Sequence, residues 1–142
     1  MNRILLAIDD SPAGLAAART AIGLAVATGG GLRVVHVLSD GSLARALDGS
    51  GHEDDVRERQ TSGAESVLHH VADLAAAAGV SAETRLLQGK PARSILADAT
   101  AWRADLIVVG RAGGRHVGEH YVGSAVQRVL EFTEIPVLVV PP

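Results

Sequence analysis

Val108-Val109-Gly110-Arg111-Ala112-Gly113, followed after nine residues by Gly123-Ser124, sets three glycines between an apolar run and an amphipathic one. Asp105-Leu106-Ile107-Val108-Val109 reads as a buried strand of a parallel sheet. Ser124 to Leu130 reads as the first turns of a helix, with its apolar residues at helical spacing. The segment between them therefore lies at the carboxyl end of a strand and at a helix N-terminus. The first amides of a helix lack intrahelical partners and carry the positive end of its dipole, so an anion is stabilised there without a dedicated cation. Glycine lets phosphate oxygens come close to such backbone.

Outward from this segment, strands and helices alternate strictly. Ile4 to Ile8 reads as the first strand, followed by a helix capped by Ser11 with Pro12 in its first turn and Leu15, Ala18, Ile22 and Ala25 on its buried face. Gly29-Gly30-Gly31 ends that helix and turns the chain into a second strand, Leu32 to Leu38, apolar apart from Arg33 and His36. Ser39 to about His52 shifts to Gly, Ser and Asp with a short apolar patch at Leu43 to Leu47, and reads as an exposed loop or a weak helical turn. A long helix runs from about Glu53 to Ala78, with Val67, Val71, Leu74 and Ala78 at helical spacing and Gly79 at its end. Ala82 to Leu87 places Glu83 and Arg85 on one side, as suits a strand near the sheet edge with water on one face. Pro91 starts a third helix, Ile95, Leu96 and Ala99 form its apolar side, and Trp102 packs near its end. After the glycine segment come the helix from Ser124 to about Phe132 and a last strand, Val137 to Val140.

Five strands separated by helices imply right-handed parallel crossovers: an α/β, doubly wound five-stranded parallel sheet with helices on both faces. Ligands are expected where the strand order reverses, in the crevice flanked by the first and fourth strands. A carboxylate at its mouth, Asp9, can accept from ribose hydroxyls, as in dinucleotide folds; a helix-capping role is the alternative, with Asp10 a competing candidate. The last strand is bracketed by Pro136 and Pro141-Pro142, which suits an edge, yet it is apolar on both faces. This predicts a homodimer through Val137 to Val140, the alternative being a terminal helix or loop over that edge.

The bulk properties narrow the function. With 142 residues, the chain is expected to form a single domain spanning 1–142. Its net charge of −3 argues against a nucleic-acid partner, which favours a basic stripe. The absence of cysteine excludes disulfides, zinc-thiolate sites and thiol nucleophiles. No apolar segment approaches the roughly 20 residues that span a bilayer, and the opening apolar run is cut by Asp9-Asp10, so neither a membrane anchor nor a signal peptide is expected and the location should be cytoplasmic.

Other motifs carry little chemistry. His116-x-x-Glu119-His120 matches an inverted zincin pattern, but Gly118 in its middle weakens the helix such a site requires, and His69-His70 are adjacent on a helix and point to different faces. No metal site is expected. The sole lysine, Lys90, precedes Pro91 and belongs to no P-loop. Beyond Asp9 or Asp10, Ser124 and Arg111 there is no set of metal-binding carboxylates and positioned nucleophile for fast phosphoryl transfer. Catalytic residues are therefore not assigned.

Taken together, Gly110-x-x-Gly113, Gly123-Ser124, the opening Ile4-Leu5-Leu6-Ala7-Ile8-Asp9-Asp10-Ser11, the segment Val35-His36-Val37 and the closing Ile135-Pro136-Val137-Leu138-Val139-Val140 resemble the universal stress protein family over nearly the whole chain. The resemblance implies an adenine nucleotide alpha hydrolase-like fold with strand order 3-2-1-4-5, dimerisation through the last strand and a role in stress adaptation. In the ATP-binding branch, the aspartate ending the first strand contacts ribose or adenine, which falls on Asp9 beside Ala7, and backbone at the end of the second strand holds the adenine, which falls on Val37. The glycine segment and the serine hydroxyl hold the phosphates, which falls on Gly110, Arg111, Gly113, Gly114, Gly123, Ser124 and Ala125. Arg111 and Ala125 depart from the small hydroxyl residue and the valine common there; Arg111 either helps neutralise a triphosphate or points to solvent.

The reading is thus a homodimeric, ATP-binding regulator, with or without Mg2+, acting on an unknown protein partner. A slow ATPase or nucleotidyl transferase using the same crevice is the enzymatic alternative. A dimeric interaction module without ligand is the third.

Overall fold

In the computed structural model, which describes residues 1–9, 11–39, 53–111 and 122–142, five strands form one parallel sheet. They are β1 (Arg3–Ala7), β2 (Gly31–Ser39), β3 (Ala82–Gly89), β4 (Leu106–Gly110) and β5 (Val137–Val140), in the order β3-β2-β1-β4-β5. Among the described residues, four helices connect them: α1 (Pro12–Thr28), α2 (Glu53–Ala77), α3 (Pro91–Trp102) and α4 (Ser124–Phe132). Of the segment expected to depart from the sheet at Ser39 to His52, Ser39 belongs to β2 and 40–52 lie outside the described residues.

Strand alternation distributes the core over two layers. Ile4, Leu6, Val34, Leu106 and Val108 meet α1 and α2, whereas Leu5, Val35, Ile107 and Val109 meet α3 and α4. The sheet is therefore doubly wound, as the element order implied. On α1, Ala18, Ile22 and Ala25 are buried as expected, but Leu15 is only half-buried; Ala13, Gly14, Ala17 and Ala21 complete the inner face. These small side chains let α1 lie close against the sheet. Ser11 caps α1, its side chain accepting from Gly14 N, and Pro12 stands in the first turn where its missing amide costs nothing. Gly29 takes the left-handed conformation (φ 70°) that ends the helix, and Gly79 (φ 80°) turns the chain after α2.

Element boundaries shift slightly from expectation: β1 starts at Arg3 and ends at Ala7, and Gly110 belongs to β4. β3 is the edge strand expected, with Glu83 and Arg85 exposed on one side, and that side also carries an ion-pair network the sequence did not show. Arg33, buried on β2, donates to both Glu83 oxygens (3.1 and 3.2 Å) and to Asp98 of α3 (3.3 Å), and Arg85 pairs with Asp98 at 3.2 Å. The Arg33 guanidinium also stacks 4.8 Å from the centre of the Trp102 ring. A buried charge is tolerable only with such partners, and this one draws β2, β3 and α3 together.

Candidate nucleotide site

The strand order reverses between β1 and β4, whose following helices leave on opposite faces. That divergence opens a crevice of about 350 Å³ at the carboxyl ends of the strands. It brings together Ala7, Asp9, Val37, Gly110, Gly123, Ser124 and Ala125 from the residues singled out in the sequence. Arg111 directly follows Gly110; Gly113, Gly114, Asp10 and the His116 to His120 motif lie outside the described residues.

At the β1 edge, Asp9 is held by the start of α1. Ser11 N and Ser11 Oγ both donate to Asp9 Oδ1, the former at 3.0 Å, while Ser11 Oγ accepts from Gly14 N at 3.1 Å. The cap of α1 is therefore Ser11 and not Asp9, which orients Ser11 while lining the crevice. Across the floor, Gly110 is required by packing. A Cβ there would stand 2.7 Å from the carbonyl carbon and 2.8 Å from the oxygen of Ala13.

The two ends of the glycine segment are fastened to one another. Arg111 N donates to Val140 O at 2.8 Å, and Arg111 O accepts from Gly123 N at 2.9 Å. Gly123 is the N-cap of α4 and supplies no side-chain cap. The first bond of the α4 ladder runs from Gln127 N to Gly123 O, so the amides of Ser124, Ala125 and Val126 precede it without helical acceptors. Arg111 Nε is buried and finds no hydrogen-bond partner among the described residues. The first amides of α4 thus stand at the β4–α4 side of the crevice, with the Asp9 carboxylate at the β1 side, whereas Arg111 is not among the lining residues.

The apolar wall was missed in the sequence. Pro91 and Ile95 of α3, Val126 and Val129 of α4, and Val35 and Val109 of the sheet complete the crevice. Ile95 carried a helical-period signal, which reads equally as core; only the tertiary arrangement shows that this face ends in open space. Gly14 was missed because it reads as an ordinary glycine within a helix. His36 also lines the crevice.

A model of the universal stress protein family matches residues 1–141. The chain belongs to that family. Among curated relatives, a universal stress protein from Thermus aquaticus is 38% identical over 138 residues, covering 96% of both chains. Universal stress protein YxiE from Bacillus subtilis is 32% identical, covering 98% of both. Among solved structures, the hypothetical protein MJ0577 superposes with a TM-score of 0.85 at 20% identity, covering 99% of this chain and 96% of its own. A universal stress protein in complex with cAMP (TM-score 0.71, 23% identity, 99% and 96% covered) shares the fold. So does one from Archaeoglobus fulgidus in complex with dAMP (0.68, 23%, 99% and 98%). The family assignment thus fits the observed 3-2-1-4-5 sheet. Among the described residues, no helix is long and apolar enough to cross a membrane, and no three His, Asp or Glu side chains are placed to hold a metal ion.

Proposed function

We propose that this universal stress protein binds an adenine nucleotide, ATP in the first instance, in the β1–β4 crevice, and that occupancy regulates its engagement of a protein partner in a cytoplasmic stress response. The observation that carries the reading is the polarity of the crevice. An acceptor-only carboxylate from the end of β1, uncapped amides at the start of α4 and apolar side chains all line it. These three kinds of surface suit ribose, phosphate and adenine in turn. Val37 ends the wall where its backbone can read the adenine edge, and Asp9 faces the sugar. Gly110, Gly123, Ser124 and Ala125 take the phosphates, with Gly113 and Gly114 assigned to the same cradle by the family pattern. Arg111, whose buried Nε lacks a partner among the described residues, adds the neutralising charge. A Mg2+ ion would arrive on the triphosphate. The relatives solved with cAMP and dAMP support the ligand class.

The same reading includes a homodimer through β5. This four-residue strand is the sheet edge opposite β3, and its Leu138 is exposed, as are Leu130 and Phe132 of the preceding helix. An apolar edge with unpaired backbone groups is completed by a second copy of itself.

A thermal melt tests ligand binding. Ligand at a hundred times Kd stabilises the folded form by about 2.7 kcal/mol, a rise in Tm of roughly 5–10 °C for a domain of this size. No shift at millimolar Mg-ATP removes the proposal. Single-turnover measurement with labelled ATP separates binder from enzyme, since a binder returns the nucleotide intact.

A further inference from the structure

The first turn of α1 contains a glycine whose missing side chain decides where Asp9 can sit, and its consequence rests on the nucleotide reading above. A Cβ on Gly14 would lie 2.7 Å from the Asp9 carbonyl oxygen, 2.7 Å from Asp9 Oδ1 and 3.3 Å from Asp9 N. The two contacts at 2.7 Å are strongly repulsive, and one of them is to the main chain. Nor can the main chain retreat freely: Ile8 N donates to Val35 O at 2.9 Å, tying the end of β1 to β2. At Gly23, further along the same helix, a Cβ would meet nothing within 4 Å. Glycine is a poor helix former, so at 14 it answers a need for space.

The space is filled by the Asp9 carboxylate. Its Oδ1 accepts from Ser11 N and Ser11 Oγ, and Ser11 is held in turn by Gly14 N. Its Oδ2 accepts from none of the described residues, while Asp9 lines the crevice. A carboxylate with one oxygen committed and one open accepts and does not donate. The ligand group that completes it is a donor, and in ATP the sugar supplies two hydroxyls. We propose that Gly14 is the positioning residue that fixes Asp9 as the acceptor for the ribose hydroxyls, giving the crevice a preference for ribonucleotides over 2′,3′-dideoxy analogues. Gly14 thereby acts on the ligand without donating a bond to it.

The test is calorimetric titration of the full chain with ATP and with 2′,3′-dideoxy-ATP, each protein being checked for folding by circular dichroism and melting. Wild type binds ATP about tenfold more tightly than the analogue. Gly14→Ala loses that preference, because ATP weakens by the same factor while the analogue is unchanged. Ser11→Ala, which removes one of the two bonds to Oδ1, gives an intermediate ratio, and Gly23→Ala keeps the wild-type one. A Gly14→Ala protein that folds and retains the preference overturns the proposal, as does a wild type that binds both nucleotides equally. If Gly14→Ala does not fold, Ser11→Ala decides, and an unaltered ratio there overturns it. A wild type that binds neither nucleotide overturns the nucleotide reading itself, a result distinct from the other two.

Discussion

The two ends of the sheet handle polar groups in opposite ways. At the amino end, Arg33, Glu83, Asp98 and Arg85 satisfy one another, and the Arg33 guanidinium stands over the Trp102 ring. Arg3 closes the same end by donating to Trp102 O at 2.6 Å. At the carboxyl end, the α4 amides, Arg111 Nε and Asp9 Oδ2 have no partners among the described residues. Arg111 Nε is a buried donor and Asp9 Oδ2 an acceptor on the crevice, so the carboxyl end leaves polar groups open where the amino end pairs them. The same α3 serves both: its first turn walls the crevice with Pro91, and its last turns hold Asp98 and Trp102.

The comparison breaks most readily at Asp98. Its side chain is 7% exposed and neutralises two arginines, so Asp98→Ala leaves the buried Arg33 with Glu83 alone. Removing one partner of a buried pair costs about 3–5 kcal/mol, and urea unfolding should show a loss near the lower figure because Glu83 remains. Nucleotide affinity should not change. A loss under about 1 kcal/mol would place the network among ordinary surface pairs and erase the contrast between the ends.

At the other end, Gly123→Val should do the reverse. Gly123 sits at φ −61°, ψ 150°, extended backbone that any residue adopts, so its lack of a side chain is not a demand of conformation. Valine there should leave Tm within a few degrees and weaken Mg-ATP by more than about tenfold, or 1.4 kcal/mol. Gly110→Val is a different experiment, since its side chain would collide with Ala13 and damage the fold. The two glycines look alike in the sequence and differ in purpose.

That pair shows where sequence reading stops. Alternating apolar runs, Ser11-Pro12 and Gly29 gave the elements and their type, because caps and periodicity are local. The crevice position followed from strand–helix alternation, and seven of the ten site positions do line it: Ala7, Asp9, Val37, Gly110, Gly123, Ser124 and Ala125. The Arg33 network was illegible, because the register that sets Arg33 beside Glu83 joins residues fifty positions apart. A charged residue in an apolar strand signals that a partner exists and does not say which. Gly14 was equally hidden, since its need for space comes from Asp9, five residues back across a turn.

Arg111→Gln sharpens the comparison by a smaller amount. The arginine contributes a charge where the amides contribute only dipoles, so ATP should weaken about fivefold and adenosine hardly at all. Calorimetry at two salt concentrations checks this: the wild-type preference for ATP over adenosine should fall with salt and the variant's should fall less. Equal losses for both ligands would move Arg111 from the phosphates to a structural role.

The smallest effect belongs to Asp105, at the amino end of β4. Its Oδ2 accepts from Asn2 N and Arg3 N, both at 2.8 Å, and these two bonds hold the carboxyl below its usual value of 3.8. The positive N-terminus and Arg3 act in the same direction, and the slight desolvation opposes them. A depressed folded-state pKa means that the unfolded chain takes up the proton first. Asp105 therefore adds stability that is present in full well above pH 3.8 and is lost as the pH falls through the lowered folded value. Asp105→Asn keeps an acceptor for the amides and removes the charge. The stability difference between wild type and this variant should be constant from pH 7 to about pH 5 and shrink below about pH 4. A difference that persists unchanged into acid would mean that hydrogen-bond geometry alone, without ionisation, fastens the N-terminus to β4.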